Sequence, residues 1–152
     1  MGGERRRRQP SRERSDPGEP PDARPNVVVL RGTVTSGPER RTLADGRTVV
    51  QLDVTTAHVG PDGRADRRAV PVSWSDPAES SLAPIAVGVE VVVVGSVRRR
   101  FFRAGGATRS RTEVDVEVLE PARRAARVRR AVLDVAGSLA ASVTPAGAGP
   151  GP

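Results

Sequence analysis

The chain has 152 residues, a formal net charge of +7, no cysteine and a single histidine. Without cysteine it forms no disulfide and no thiolate metal site, and one histidine excludes a histidine-rich site. No apolar run reaches the roughly 18 residues of a membrane-spanning helix, and the basic N-terminus lacks the apolar segment of a secretory signal. We therefore expect a cytoplasmic protein with no membrane partner, no metal and no cofactor.

Both ends of the chain are too biased in composition to join a folded core. Residues 1–25 contain the run Arg5–Arg8 and no Val, Ile, Leu or Phe, so they cannot offset the entropy of ordering. Residues 144–152 consist only of Thr, Pro, Ala and Gly, which is typical of a disordered tail. The sequence therefore predicts one folded domain over residues 26–120, a helical element over residues 121–143, and disordered ends.

The first half of this domain has the pattern of three strands. The strand that begins at Asn26 is rich in valine and contains Gly32, and a glycine inside a strand often marks a bulge or a sharp coil. The second strand, over 47–56, alternates apolar with polar residues. The third, over 66–74, contains Pro71, which predicts an edge position or a bulge because proline cannot donate a backbone hydrogen bond.

The second half of the domain has the pattern of a short helix and two strands. Asp76 and Pro77 are typical of a helix start, with a capping carboxylate followed by proline at the first helical position. The fourth strand, over 89–97, is apolar on both faces, so we expect it to be central or covered by a subunit partner. The fifth, over 109–119, alternates valine with carboxylates that we assign to the solvent face. This element order predicts an all-β, five-stranded OB-fold barrel with a short helix between strands three and four.

A cluster of arginine and phenylalanine follows the fourth strand. Phe101 and Phe102 are neighbours on a strand, so they point to opposite faces; we expect one to pack and at least one to be exposed. Guanidinium groups neutralise phosphates and exposed rings stack on unpaired bases, so the cluster predicts binding to single-stranded nucleic acid, with DNA and RNA not separated by the pattern. A solvated edge that prevents aggregation is the alternative. Six arginines and no acid lie between Val97 and Thr112: Arg98, Arg99, Arg100, Arg103, Arg109 and Arg111.

Residues 122–143 have the pattern of an amphipathic helix. Its apolar positions recur at spacings of three and four: Val128, Val132, Val135, Leu139 and Val143. Five arginines crowd the first turns, where the helix dipole disfavours cations: Arg123, Arg124, Arg127, Arg129 and Arg130. We expect this helix to meet a polyanion or an acidic protein partner, or to take part in assembling an oligomer.

No arrangement typical of an enzyme is present in the sequence. His58, the single histidine, has no GxSxG motif to work with, and the chain has no HExxH motif and no Walker loop. Gly105 and Gly106 lack the strand-to-helix context of a phosphate-binding loop. We therefore predict that the protein is not an enzyme and has no small-molecule substrate.

Seven short segments with a fixed order and spacing point to a known family. They are Asn26–Gly32, Pro38–Arg41, Gly46–Val49, Val70–Trp74, Gly88–Gly95, Arg98–Gly106 and Thr112–Val114. In them the chain resembles the bacterial single-stranded DNA-binding protein family, over about residues 26–120. The resemblance implies an OB-fold homo-oligomer, in most members a tetramer, that binds single-stranded DNA in replication, recombination and repair.

The resemblance also implies roles for individual residues. Trp74 is similar to the family's aromatic residue at the end of strand three, and Phe101 or Phe102 to that of the hairpin between strands four and five; both positions stack on bases. The pattern alone is equally compatible with Trp74 in the core. Arg68 stands where better-known members have a further aromatic residue, so the stacking platform is reduced; we keep Arg68 among the DNA-binding candidates. The family's acidic C-terminal tip does not appear in a chain that ends Pro-Gly-Pro, so we expect a diverged or accessory member.

Two functional hypotheses follow from the sequence. The first is a protein, cytoplasmic and nucleoid-associated, that coats single-stranded DNA without marked sequence preference. The second is an OB-fold assembly or protein-interaction module with weak or no DNA binding. The second is favoured by the few aromatic residues and by the near-neutral barrel, since residues 26–120 carry thirteen arginines and twelve acids.

Overall fold

The computed structural model describes residues 25–143, which form a single β-barrel with two helices. The strands are β1 (Val28–Thr42), β2 (Thr48–Val59), β3 (Ala65–Ser75), β4 (Glu90–Ala104) and β5 (Ala107–Pro121), and the helices are α1 (Glu79–Leu82) and α2 (Ala125–Ser142). None of the helices in this part of the chain has the length and apolar character needed to cross a membrane. Of the two ends predicted to be disordered, 1–25 and 144–152, all residues but Pro25 lie outside the described residues.

The five strands close into a barrel in the order β1-β2-β3-β5-β4. Strand β1 makes the closure because its first half pairs with β4, from Val28 to Thr33, and its second half pairs with β2, from Thr33 onward. All neighbours are antiparallel except β3 and β5, which pair in parallel at Val72–Val114 and Ser73–Asp115 alone. The predicted OB-fold barrel, with its short helix between strands three and four, is confirmed.

The barrel interior is filled almost entirely by branched aliphatic side chains. Val50, Leu52 and Val54 alternate inward along β2, and Val91 and Val93 do so along β4. This alternation is the period-two pattern that the sequence showed. Because β-branched residues pack well on a pleated surface, a core of this kind supports a small barrel with few aromatic residues.

Pro71 and Gly32, from which we predicted irregular strands, each have a specific place in the sheet. Pro71 pairs with Asp53 on β2 and lies immediately before the two-residue contact between β3 and β5, so its missing N–H removes no bond to β5. Gly32 is not a bulge: a Cβ atom there would lie 2.4 Å from the carbonyl oxygen of Thr55. The register shifts of β1 lie further along, between Val34 and Glu39.

Two sequence predictions about carboxylates are wrong. Asp76 does not cap α1, whose N-cap is Ala78 with no side-chain hydrogen bond. The Asp76 carboxylate instead accepts a 2.8 Å hydrogen bond from the Thr48 N–H, which ties the end of β3 to the start of β2. Glu113 is not on the solvent face, since it is 2 % exposed.

The outer face of β4 is covered by the chain's own C-terminal helix. Val92 and Val94 alternate with the core residues of β4 and so point outward, yet they are only 7 % and 3 % exposed. Helix α2 contacts both β4 and β5, and its half-buried residues include Val128 and Val132. The apolar outer face of β4, which predicted a central strand or a subunit partner, is therefore explained within one chain.

Candidate nucleic-acid interface

Strands β4 and β5 continue past the barrel as a two-stranded arm, residues 98–111. Their pairing runs without interruption from Val97–Val114 to Ala104–Ala107, whereas β5 leaves β3 at Val114. The turn is Gly105-Gly106, and both residues have positive φ angles, 59° and 77°, which glycine adopts without strain. The sequence predicted this turn but ended the fourth strand too early, at Val97.

Two clefts flank the arm, and each contains one phenylalanine. The Phe101 cleft has a volume of about 440 Å³ and is lined by Leu43, Arg47, Val49, Ser75, Arg98, Arg99, Arg100 and Phe101. The Phe102 cleft has a volume of about 310 Å³ and is lined by Arg41, Gln51, Arg100, Phe102, Arg103, Arg111 and Glu113. Each cleft therefore joins an aromatic ring to several guanidinium groups.

The clefts lie on either side of the arm where it faces strand β2. Val49 lines one cleft and Gln51 the other, and residues two apart on a strand share a face about 7 Å from each other. Phe101 is 64 % exposed and Phe102 is 41 % exposed. We expected one ring to pack, and both are exposed instead. The arm thus offers two rings to solvent, one in each cleft.

Arg98 anchors the root of the arm. Its guanidinium group donates to Glu113 at 3.2 Å and lies 3.3 Å from Asp115. The Glu113 side chain is 2 % exposed, so its charge depends on Arg98 for compensation, because an unpaired buried carboxylate is strongly unfavourable. Arg98 is therefore committed to holding the arm against the barrel.

Two further arginines of the arm have intramolecular partners. Arg111 reaches the Asp53 carboxylate on β2 at 3.4 Å, which ties the arm to the barrel. Arg99 donates to the Ser110 hydroxyl at 2.8 Å, and its guanidinium carbon lies 5.3 Å from the centre of the Phe101 ring, within cation–π range. These contacts hold the arginines in place without filling all their donors.

The remaining arginines of the arm are free. Within residues 25–143, Arg100, Arg103 and Arg109 take part in no ion pair and no side-chain hydrogen bond. Arg100 lines both clefts and Arg103 lines the Phe102 cleft, while Arg109 is exposed on the arm opposite Phe102. Their donors are available to an anionic ligand.

Comparison with known proteins identifies the family to which this chain belongs. The model of the single-strand binding protein family matches residues 25–122, well over half of the chain. The chain belongs to the single-strand binding protein family. A similar solved structure, described as Plasmodium falciparum SSB complex with ssDNA, has a TM-score of 0.54 and 20 % identity, and the match covers 62 % of this chain and 88 % of that one. No curated protein sequence matches significantly.

Seven residues that line the clefts of this family member were not singled out from its sequence, and two of them are arginines. Arg41, at the end of β1, lines the Phe102 cleft, while Leu43 and Arg47, in the turn before β2, line the Phe101 cleft. Arg47 donates to the Asp45 carboxylate at 2.7 Å, and this bond lowers the pKa of Asp45 and raises that of Arg47. Arg41 and Arg47 both lie in segments that carried the family resemblance, which was the available signal.

Three predicted site residues lie outside both clefts. One of them, Arg109, is still part of the arm, and the other two are not. Trp74 is 7 % exposed and belongs to the core cluster, so the core alternative is the one that the structure shows. A ring packed this way offers no face to a base, and its predicted stacking role is not supported. Arg68 lies opposite Thr56 on the β2–β3 hairpin and pairs with Asp66 at 2.8 Å, so it does not join the arm.

Within residues 25–143, no group of three or more His, Cys, Asp or Glu side chains is arranged to hold a metal ion. The carboxylates near the arm are instead paired with arginine, as Glu113 and Asp115 are with Arg98. The chemistry of the site is that of cations and aromatic rings.

Proposed function

We propose that this protein binds single-stranded DNA, non-catalytically and largely independently of sequence, through the arm and its two clefts. The observation that carries the proposal is the presence of an exposed phenylalanine and an unpaired arginine in the Phe102 cleft, with a second exposed ring in the Phe101 cleft. Unpaired nucleic acid requires this combination, because every base has a face that stacks and every nucleotide carries a phosphate. Membership of the family supports the same function.

In this proposal the arginines divide the work between structure and binding. Arg100, Arg103 and Arg109 neutralise phosphates, since their donors are unoccupied, and Phe101 and Phe102 stack on bases. Arg98 mainly positions the arm through Glu113. In this proposal the arginines contact phosphates and the phenylalanine rings contact the faces of the bases. Neither kind of contact reads the edges of the bases, so the contacts carry little sequence information.

The cellular setting is also proposed from the family. We infer a cytoplasmic, nucleoid-associated protein that acts as a homo-oligomer, with a tetramer as the expected state, in DNA replication, recombination or repair.

The proposal is tested by fluorescence anisotropy of labelled oligo-dT at several salt concentrations, with a duplex and an oligo-rU of equal length as competitors. We expect binding to oligo-dT that weakens with salt, and weak competition by duplex. In the variant Arg100→Ala/Arg103→Ala, affinity falls and the slope of log K against log salt decreases by about 1.4, at about 0.7 per phosphate contact.

The matched control is Arg64→Ala/Arg67→Ala, which removes two exposed arginines that line neither cleft and form no ion pair within residues 25–143. This control retains the wild-type slope if the arm is the binding site. Equal slopes in all three proteins would remove the arm from the site, and stronger competition by oligo-rU would assign the function to RNA.

A second candidate function, an assembly module, is favoured by the uncovered end of α2. Leu139 and Val143 are 38 % and 63 % exposed there, beyond the part of the helix that packs on the barrel. Sedimentation of Leu139→Glu separates the candidates: a smaller oligomer with intact oligo-dT binding assigns α2 to assembly, and an absence of oligo-dT binding in the wild type would leave assembly as the function.

A further inference from the structure

The start of helix α2 carries a second group of cations, far from the arm. Glu120 is the carboxylate that pairs with this group, at 3.4 Å from Arg124 and 3.7 Å from Arg127. Three arginines remain exposed and take part in no ion pair within residues 25–143: Arg123, Arg129 and Arg130. We call these three the helix cations.

The helix cations do not stabilise the helix that carries them. The N-cap of α2 is Arg124, which makes no side-chain capping bond, and the first turn contains no acid. Arg123 lies just before the N-cap, where a cation opposes the macrodipole. Arg129 and Arg130 lie in the second turn and pair with no carboxylate of residues 25–143, so the fold alone gives no reason for these cations. A ligand with several negative charges would remove this unfavourable term.

The helix cations face solvent rather than the barrel. Val128, Val132 and Val135 are the half-buried residues of one stripe of α2, and Arg129 and Arg130 are exposed beside it. Leu133, which lies near Arg129 and Arg130 on the helix, is a large apolar residue that is 58 % exposed. Arginine also occurs at protein–protein interfaces, but there it accompanies aromatic anchors. Helix α2 contains no aromatic residue, so this surface fits a polyanion better than a docked protein.

The helix cations are also separate from the two clefts. The Ala122 N–H donates to the Glu90 carbonyl at 2.8 Å, which places the start of α2 at the first residue of β4. The arm begins at Arg98, further along the same strand. At about 3.3 Å per residue, the start of α2 lies about 26 Å from Arg98 along β4.

We propose that Arg123, Arg129 and Arg130 form a second phosphate-binding surface, which holds the backbone of a single DNA strand after that strand leaves the arm. Arginine suits this role because its guanidinium group presents several donors to phosphate oxygens. The inference rests on the proposed function, since it assigns the far end of the same ligand. It predicts that the helix cations contribute only when the strand is long enough to reach them.

The test compares a short oligo-dT of about 10 nucleotides, within the footprint of one OB fold, with a long one of about 60. Anisotropy is recorded with DNA in excess, so that each oligonucleotide carries one protein assembly. In Arg129→Gln/Arg130→Gln we expect wild-type affinity for the short strand. For the long strand we expect weaker binding and a salt slope lower by about 1.4. The charge-matched control, Arg64→Gln/Arg67→Gln, removes two exposed arginines without an ion pair within residues 25–143 and leaves the binding of both strands unaffected.

A second variant keeps the test independent of helix stability. Ala126 is exposed in the first turn of α2, and an acid at such a position stabilises a helix. Ala126→Glu should therefore preserve or increase the helical circular dichroism signal while it weakens binding of the long strand alone.

The outcomes separate the inference from the function on which it rests. If the wild type binds neither strand, the proposed function fails. If the wild type binds both and the two helix variants match it on the long strand, only the helix surface is overturned, and an acidic protein becomes its expected partner. An equal loss on the short and long strands would overturn it too, because the effect would then act through the arm.

Discussion

The side chain of Asn26 takes the place of a strand residue opposite Val97. Its amide nitrogen donates to the Val97 carbonyl and its amide oxygen accepts from the Val97 N–H, both at 2.9 Å. The backbone ladder between β1 and β4 begins only at Val28–Gly95, so these two bonds extend the sheet past its last pair. Val97 directly precedes Arg98, and Asn26 therefore fixes the root of the arm.

Replacing Asn26 with alanine should loosen the arm without changing any charge. We expect a loss of about 1–3 kcal/mol of stability, because two hydrogen bonds are removed and each is worth about 0.5–1.5 kcal/mol net, together with faster amide exchange at Val97. Affinity for oligo-dT should fall while its salt slope stays the same, because no phosphate contact is removed. Unchanged exchange at Val97 would show that the arm is held by other contacts.

The barrel could be predicted because its information is local. Along β2, every second side chain points into the core, as Val50, Leu52 and Val54 do. This alternation of apolar and polar residues is visible in the sequence regardless of which strand pairs with β2. The arm, residues 98–111, has no buried face and no such period, so its strands were drawn too short. Their pairing comes from each other rather than from a core.

The sequence predicted which residue types form the site but not which side chains contact each other. Asp53 and Arg111 are 58 positions apart, and nothing local to either residue indicates the other. Trp74 satisfied the strand pattern equally well inside or outside, and only the closure of the barrel placed it in the core. The distinction between held and free arginines therefore needed the tertiary structure.

Phe101→Ala and Phe102→Ala should each weaken binding to oligo-dT. Loss of one stacked base costs about 1–3 kcal/mol, which corresponds to roughly 5- to 150-fold in affinity. The salt slope should stay unchanged because neither variant alters a charge. Isothermal titration with oligo-dT gives the affinities directly.

A matched control for these variants is Val59→Ala, since Val59 is also 64 % exposed and lies on β2, outside both clefts. It should bind oligo-dT like the wild type. If one phenylalanine variant also bound like the wild type, stacking would be confined to the other cleft. If both did, the arm would bind phosphates only.

Asp53→Asn should increase the affinity for single-stranded DNA. The Asp53 carboxylate forms an ion pair with the Arg111 guanidinium group at 3.4 Å, and it places a negative charge beside the Phe102 cleft. An exposed ion pair of this kind is worth about 0.2–1 kcal/mol, so its removal should strengthen binding by roughly 1.4- to 5-fold. Anisotropy at low salt, where the effect is largest, measures the gain. Weaker binding would mean that Asp53 holds the arm in its productive position.

Stability should depend on acid pH through Glu79. Arg40 donates to both Glu79 oxygens, at 2.5 and 3.1 Å, and this hydrogen bonding, followed by charge attraction, lowers the pKa of Glu79 below its ordinary value of 4.5. Between the folded-state pKa of Glu79 and pH 4.5, the unfolded chain therefore binds more protons than the folded protein. The stabilisation that ionised Glu79 provides is fully present above pH 4.5 and is lost as the pH falls through the folded-state pKa.

The check on Glu79 is the difference in Tm between the wild type and Glu79→Gln, followed from about pH 7 to about pH 2.5. The wild type should be the more stable protein at neutral pH, and the difference should disappear at the acid end. A difference that grew as the pH fell would contradict the assigned direction.

Trp74 provides the sharpest test of the assignment of residues to core and surface. It is the sole tryptophan and is 7 % exposed, so its emission should be blue-shifted and should change little when oligo-dT binds. Trp74→Phe should keep its affinity for oligo-dT, whereas Trp74→Ala should lose about 3–5 kcal/mol of stability, as buried aromatic residues do on truncation. Emission, anisotropy and urea denaturation of the same samples measure all three. Strong quenching of Trp74 by oligo-dT, with reduced affinity in Trp74→Phe, would instead return strand β3 to the binding surface.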